Sequence, residues 1–218
     1  MIDFPPLETE IRRRIAIAGP MPVHEYMTLC LTDGKYGYYT TRDPFGAGGD
    51  FITAPEVSQM FGEMVGLWMV AVWKQMGTPK NVNVVELGPG RGTMMKDALR
   101  AAKVIPAFLD TAAIHLVEIS PALMAYQKRT LEPVSMPVSW HSALAGVPAG
   151  PVIVLANEFF DALPISQAVK TERGWHERQI EIDSAGYLAF SVAPDPIPHL
   201  ARVLPPELRN APEDSIFE

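Results

Sequence analysis

Three glycines at alternate positions mark the part of this 218-residue chain that is best suited to chemistry. Gly88, Gly90 and Gly92 follow directly on an apolar, strand-like run at residues 82–87. Glycine has no Cβ, so a backbone built from it can turn sharply and approach a ligand closely. The helix predicted next along the chain would add the unpaired N–H groups of its first turn. This pattern predicts a nucleotide-binding turn.

The spacing of these glycines distinguishes two classes of nucleotide site. The dinucleotide fingerprint G-x-G-x-x-G requires a glycine at position 93, where this chain has Thr93. The observed G-x-G-x-G, with an acidic residue two positions before it, resembles motif I of the class I S-adenosylmethionine-dependent methyltransferases. The cofactor-binding residues predicted from this segment are Glu86, Gly88, Pro89, Gly90 and Gly92.

Two further strand ends carry polar side chains that suit the same site. Glu118 closes an apolar run at 113–118, and an ionised carboxylate there could accept both ribose hydroxyls of a nucleoside. Asn157 and Glu158 follow an apolar run at 152–156, and open parallel sheets bind ligands at the carboxyl ends of such strands. The four residues from Asn157 resemble the N-x-x-[YF] segment of many methyltransferases. We predict that Glu118 and Asn157 bind cofactor; the alternative is that these polar groups only cap helices and turns.

The elements that must position these residues alternate between strand and helix from residue 82 onward. Apolar runs predict strands at 82–87, 113–118, 138–141 and 152–156, and helix-like segments lie at 93–103 and 121–131. This alternation predicts an α/β fold with a doubly wound, mostly parallel sheet of the Rossmann-like, class I methyltransferase kind.

The chain before this core is predicted to be an N-terminal helical extension. Helices are expected at 7–18 and 23–31, followed by an irregular loop at 43–55 that is rich in glycine and proline. A further helix at 56–76 has apolar residues around most of its circumference, so we expect it to be buried on several sides.

The chain after the core is predicted to be antiparallel. Strands are expected at 166–170, 175–182 and 187–192, followed by a proline-rich and mostly irregular tail. The predicted domains are therefore 1–56, the helical extension with an active-site loop; 57–165, the nucleotide-binding core; and 166–218, the meander and tail.

Composition excludes several other classes of protein. The formal net charge of −7 argues against a nucleic-acid partner, which calls for a basic surface. No apolar run reaches the ~18 residues of a membrane span, and the N-terminus lacks the layout of a signal peptide. A single cysteine, Cys30, rules out an internal disulfide and a cysteine-based zinc cluster, and no metal site is predicted. We expect a cytoplasmic protein.

Four segments of the chain together resemble one family. They are GGDFITAPEVSQMFGEMVG (48–66), VVELGPGRGTMMKDAL (84–99), HLVEISPAL (115–123) and ANEFFDALP (156–164). In this order they are similar to the MidA-like methyltransferases, which include the mitochondrial complex I assembly factor that methylates an arginine of a complex I subunit. The resemblance implies S-adenosyl-L-methionine as cofactor, a protein arginine as acceptor and a place in complex I assembly. It also implies that eukaryotic members are mitochondrial.

The resemblance further implies that the GGDFITAPE segment lies over the active site, with Asp50, Thr53, Pro55 and Glu56 as its main residues. A guanidinium acceptor needs carboxylates that orient its planar fork and keep one nitrogen lone pair available. The candidate catalytic residues, in order of preference, are Glu158, Asp161 and Asp50.

Two other functions stay open at this point. An NAD(P)-dependent oxidoreductase would share the glycine turn and Glu118, although Thr93 and the segment after Asn157 count against it. A non-catalytic assembly factor that keeps a methyltransferase-like fold is the other. Members of the resembled family continue beyond residue 218, so we expect this chain to be truncated relative to them, which gives the non-catalytic alternative some weight.

Overall fold

The computed structural model describes residues 4–41 and 53–218. Its α-helices are α1 (Pro6–Ala18), α2 (Val23–Thr32), α3 (Tyr38–Thr41), α4 (Ala54–Val57), α5 (Gln59–Gln75), α6 (Thr93–Ala102), α7 (Pro106–Leu109), α8 (Pro121–Leu131) and α9 (Leu200–Val203). Its strands are β1 (Met21–Pro22), β2 (Val82–Leu87), β3 (Ala112–Val117), β4 (Val138–His141), β5 (Val152–Leu155), β6 (Ala168–Thr171), β7 (Gly174–Ile182), β8 (Leu188–Pro196) and β9 (Ile216–Phe217).

The chain forms two compact units. One comprises Arg42–Ala162, and the other combines Met1–Thr41 with Leu163–Glu218. The first and last parts of the chain thus belong to the same unit. The predicted division into three consecutive domains, 1–56, 57–165 and 166–218, is a separate description of the chain and stays a prediction.

The unit that contains the glycine turn is built on a four-stranded parallel sheet in the order β4-β3-β2-β5. The chain runs outward from β2 through β3 to β4 and then returns to the other side of β2 as β5. The predicted α/β fold with a parallel sheet is confirmed. Among the described residues β2 is the one strand paired with β5, and Val152 and Val154 of β5 are about half exposed.

The larger part of the core of this unit lies on one face of the parallel sheet, and a smaller cluster with Val85, Leu87 and Val117 lies on the other. Val84 of β2 and Ile114 and Leu116 of β3 are fully buried in the larger part, packed against residues of α5 and α6 such as Met69 and Met95. Strands covered on both faces read as nearly continuous apolar runs, which is why β2 and β3 were recognisable in the sequence.

The prediction that the helix at 56–76 is buried on several sides is wrong. The helix is interrupted at Ser58, which caps α5 by accepting the Met60 N–H. Among the described residues, α5 packs through the face that carries Gly62, Gly66, Met69, Val70 and Trp73. On that face Gly62 and Gly66 lie against the backbone of α6, so the two helices approach each other closely. The bulky side chains on the other side remain exposed; these are Met60, Met64, Leu67 and Trp68.

The second unit is built on an antiparallel sheet. The predicted meander is confirmed, since β7 pairs with β6 on one side and with β8 on the other. The N-terminal segment joins the same sheet through β1, where Met21 pairs with Ile180 of β7, and Ile11 and Ile15 of α1 pack on that side. The tail is more regular than expected, because it contains α9 and β9, and β9 pairs with β6.

Across the described ranges, no helix is both long enough and apolar enough to cross a membrane.

Candidate active site

The turn after β2 is built from three glycines with left-handed backbone. The φ angle is 60° at Gly88, 54° at Gly90 and 81° at Gly92, a region that side-chain-bearing residues rarely adopt. Gly92 is the N-cap of α6, whose first residue is Thr93. The turn therefore brings the first N–H groups of α6 to the carboxyl end of β2.

Position 88 has no space for a side chain. A Cβ added to Gly88 would lie 2.6 Å from Cδ2 of Phe159, well inside van der Waals contact. Phe159 itself packs against Val85, Leu87 and Val117 on the second face of the sheet. The glycine turn and the segment after β5 therefore contact each other directly.

The segment after β5 forms the opposite wall of the site. Leu155 of β5 pairs with Glu86 of β2, so Asn157 and Glu158 emerge beside the glycine turn. Glu158 has a φ of 47°, an uncommon backbone conformation for a residue other than glycine, and such residues cluster at functional sites. The strand order reverses between β2 and β5, which is where open α/β sheets bind ligands.

A pocket opens between these two walls. The predicted site residues that line it are Glu86, Gly88, Pro89, Gly90, Asn157 and Glu158. Thr53, Pro55 and Glu56, which the family resemblance implied, line it as well. Residues from three distant parts of the sequence thus meet at one opening.

The pocket is rich in carboxyl groups. Glu56, Glu86 and Glu158 all line it. Glu86 is 3% exposed, and its Oε2 atom has no hydrogen-bond partner among the described residues. Burial raises the pKa of Glu86 to about 8, because the charged form is poorly solvated there. A cationic or hydrogen-bond-donating ligand group would satisfy this carboxyl group.

Glu118 lies at the end of β3, next to the glycine turn but outside the lining of the pocket. Its Oε1 accepts hydrogen bonds of 2.8 Å from the N–H groups of Ile119 and Ser120, and its Oε2 accepts one of 3.1 Å from Gln127 Nε2. Burial raises the pKa of Glu118, while these hydrogen bonds act in the opposite direction. The carboxylate is therefore held in one orientation.

The other predicted residues are placed as follows. Gly92 shapes the turn but does not line the pocket. Asp161 is exposed in a short 3-10 turn, Phe160–Ala162, just after the pocket wall. Asp50 lies outside the described residues. The roles assigned to all the site residues stay predictions.

Sequence reasoning missed Arg91, Thr93 and Met94, which line the pocket, and Gln127, which lies behind it. Arg91 lines the pocket from within the glycine turn, and Thr93 donates a hydrogen bond to Glu56. Gln127 is fully buried between Leu123 and Leu131 on the inner face of α8. A glutamine in the middle of an apolar helical stripe was the one available signal for that position.

No group of three or more His, Cys, Asp or Glu side chains that could hold a metal ion occurs in the described part of the chain.

Comparison with known proteins points to one family. Residues 64–218 match the family model described as an S-adenosyl-L-methionine-dependent methyltransferase. The protein arginine methyltransferase NDUFAF7 homolog, mitochondrial, of Drosophila melanogaster is 41% identical over 96% of this chain and 54% of its own length. The human protein arginine methyltransferase NDUFAF7, mitochondrial, is 38% identical over 94% of this chain and 52% of its own length.

A solved structure shares the fold. A COG1565 superfamily member from Burkholderia thailandensis, crystallised with S-adenosyl-homocysteine, superimposes with a TM-score of 0.77 at 30% identity. The match covers 96% of this chain and 55% of that one. These similarities favour methyl transfer over the NAD(P)-dependent alternative.

The named relatives are mitochondrial, so the expectation of a cytoplasmic protein is wrong. The chain spans about half the length of the curated relatives it matches.

Proposed function

Because this chain belongs to the S-adenosyl-L-methionine-dependent methyltransferase family, we propose that it binds S-adenosyl-L-methionine and transfers the methyl group to an arginine side chain of a protein. The observation that carries the proposal is the carboxyl-rich pocket at the strand-order reversal, formed by the glycine turn and the segment after β5.

The described residues fit such a cofactor. Because Gly88 has no side chain, the glycine turn can contact Phe159 directly. The backbone of the turn also stays open to the pocket. The buried Oε2 of Glu86 lacks a partner and suits the cofactor's ammonium group. Glu118 would accept the ribose hydroxyls, and Asn157 would hydrogen-bond the cofactor from the opposite wall.

Bound S-adenosyl-L-methionine would supply a methyl group activated by its sulfonium: the acceptor nitrogen would form the new C–N bond as the carbon–sulfur bond breaks in line, with S-adenosyl-homocysteine as the leaving group. The protein then needs to align the acceptor and take up the proton that the nitrogen loses. Glu158 is the first candidate for both tasks, since its carboxylate lines the pocket and can face a planar guanidinium with two oxygens. Glu56 is a second pocket carboxylate that can hold the acceptor's charge, and Asp161 and Asp50 remain the other candidates.

Finer parts of the proposal rest on the family resemblance. The acceptor would be a subunit of respiratory complex I, and the protein would act in complex I assembly. The names of the relatives support arginine as the methylated residue. The strand order β4-β3-β2-β5 supports a doubly wound arrangement of the sheet.

Calorimetric titration of S-adenosyl-homocysteine tests the cofactor assignment. We expect the wild type to bind and both Gly90→Val and Glu118→Ala to lose about tenfold or more in affinity, through an obstructed turn and a lost charged acceptor. Gly77→Val, at a glycine that also has a left-handed φ (82°) and where an added Cβ meets nothing within 4 Å, and Glu132→Ala, at an exposed position, are the matched controls.

Two results would decide against parts of the proposal. Wild-type affinity in both Gly90→Val and Glu118→Ala would remove the cofactor assignment. Cofactor binding without transfer to any complex I subunit would favour the non-catalytic alternative instead.

A further inference from the structure

We propose that Gln127 is a positioning residue that sets the cofactor-binding geometry of the glycine turn and of Glu118 together. This inference rests on the proposed function, because it assumes that both groups contact the cofactor. Gln127 itself lies behind them and does not line the pocket.

The amide nitrogen of Gln127 joins two parts of the site. Its Nε2 donates one hydrogen bond of 2.8 Å to the carbonyl oxygen of Gly90 and another of 3.1 Å to Oε2 of Glu118. An amide nitrogen carries two N–H donors, so both are used. The orientation of the Glu118 carboxylate is thereby tied to the path of the glycine turn.

The amide oxygen of Gln127 is fixed from the other side. Trp140 of β4 donates from its indole Nε1 to Oε1 of Gln127 over 2.9 Å. If the amide flipped, its oxygen would face the Gly90 carbonyl and the Glu118 carboxylate, and its NH₂ group would face the indole N–H. All three contacts would then be repulsive, so Trp140 determines which end of the amide faces the site.

Burial explains why this arrangement matters. Gln127 is 0% exposed, and a buried amide is costly unless its donors and acceptor are all paired, as they are here. Three neighbouring strands contribute to the one side chain, through Gly90 after β2, Glu118 after β3 and Trp140 in β4. Loss of the amide would leave a partly buried carbonyl and a buried carboxylate oxygen without this donor.

The hydrogen bonds on the Glu118 carboxylate show that Gln127 controls which acceptor direction is left for the cofactor. A carboxylate offers about four acceptor sites, and the N–H groups of Ile119 and Ser120 already occupy Oε1. Gln127 takes one direction on Oε2. The direction left for a hydroxyl of the cofactor is therefore set by Gln127.

The test compares Gln127→Leu with Gln127→Glu by titration of S-adenosyl-homocysteine between pH 5 and pH 8. We expect both variants to bind about tenfold or more weakly at neutral pH, with the KM for S-adenosyl-L-methionine raised and kcat at saturating cofactor little changed. In Gln127→Glu, protonation at low pH restores one donor, so affinity should recover as the pH falls. Gln127→Leu should show no such recovery.

Two further variants separate positioning from stability. Trp140→Phe removes the indole donor and should weaken cofactor binding by several-fold although Trp140 does not line the pocket. Leu131→Ala, on the same buried face of α8, should lower the melting temperature without adding the pH-dependent recovery. The affinity of Leu131→Ala for S-adenosyl-homocysteine also shows how much destabilisation of α8 alone weakens binding.

Several outcomes would overturn the inference. They are wild-type affinity in Gln127→Leu, a fall in kcat with unchanged cofactor affinity, or identical pH profiles for Gln127→Leu and Gln127→Glu. If the wild type itself fails to bind S-adenosyl-homocysteine, the proposed function fails, which is a different result.

Discussion

The hydroxyl of Thr93 donates a 2.6 Å hydrogen bond to Oε1 of Glu56, 37 residues away in the sequence. Thr93 occupies the position at which the dinucleotide fingerprint has glycine. The residue that distinguishes this motif from that fingerprint therefore also joins the start of α6 to the segment at 53–56. That segment lines the pocket, so the contact holds one of its walls.

Thr93→Val removes the donor and keeps the shape of the side chain. We expect affinity for S-adenosyl-homocysteine to fall about tenfold, because Glu56 and its segment are no longer tied to α6. Calorimetry provides the measurement. Thr28→Val is the control, since its exposed hydroxyl only donates to the His24 carbonyl within α2. An unchanged affinity in Thr93→Val would show that the hydrogen bond does not support the site.

Glu158→Gln tests the chemical step. The substitution keeps the size of the side chain and removes the proton acceptor, so we expect kcat to fall about a hundredfold or more while affinity for S-adenosyl-homocysteine is retained. Transfer from radiolabelled S-adenosyl-L-methionine to complex I subunits is the assay. Asp161→Asn, which changes an exposed carboxylate nearby, should have a smaller effect. Full turnover in Glu158→Gln would exclude Glu158 as the acceptor of the proton.

Glu86 should make the stability of the ligand-free protein depend on pH. Its pKa is raised by burial from 4.5 to about 8, so between these values the folded state holds a proton that the unfolded state has lost. The free energy of unfolding therefore falls as the pH rises from about 4.5 to about 8, by up to about 1.4 kcal/mol per pH unit. Denaturant unfolding across this range measures the slope.

Glu86→Gln is the matched variant for this measurement, because a neutral amide of the same shape cannot titrate. The wild-type slope should flatten in Glu86→Gln. If both proteins show the same dependence on pH, Glu86 is not the titrating group.

Gly66→Ala should destabilise the packing of α5 on α6. The added Cβ would overlap the backbone of Ala98, which cannot move away without displacing α6. We expect a loss of about 1–3 kcal/mol in the free energy of unfolding by urea. Met64→Ala, on the exposed side of α5, should change it by less than about 0.5 kcal/mol. Similar losses in the two variants would contradict this view of the helix pair.

Local patterns made the centre of the fold predictable. The apolar run before Gly88 and the alternating glycines identified β2, the turn and the start of α6 within a few residues. Serine is a favoured helix cap, and Ser120 caps α8 by accepting the Leu123 N–H. Each of these features depends on residues adjacent in the sequence, so the periodicity and the turn chemistry are enough to locate them.

Non-local contacts explain what the sequence did not reveal. The pairing of Met21 with Ile180 joins the N-terminal part of the chain to β7, and no local sequence pattern predicts this contact. The exposed side of α5 was mistaken for a buried one, because a helix packed through Gly62 and Gly66 has its small residues inside and its large residues outside. Gln127 depends on partners from three strands, through Gly90 after β2, Glu118 after β3 and Trp140 in β4.

The two walls of the pocket should also differ in how readily they move. β2 is hydrogen-bonded on both sides, whereas among the described residues β5 is bonded only to β2. Backbone amides on the outer edge of β5 should therefore exchange with deuterium before those of β2. Asn157 and Glu158 continue from that looser strand, and the glycine turn continues from the firmer one. Glu158, proposed to meet the acceptor, then lies on the more adaptable side of the pocket, whereas Glu86 and the glycine turn, proposed to hold most of the cofactor, lie on the firmer side.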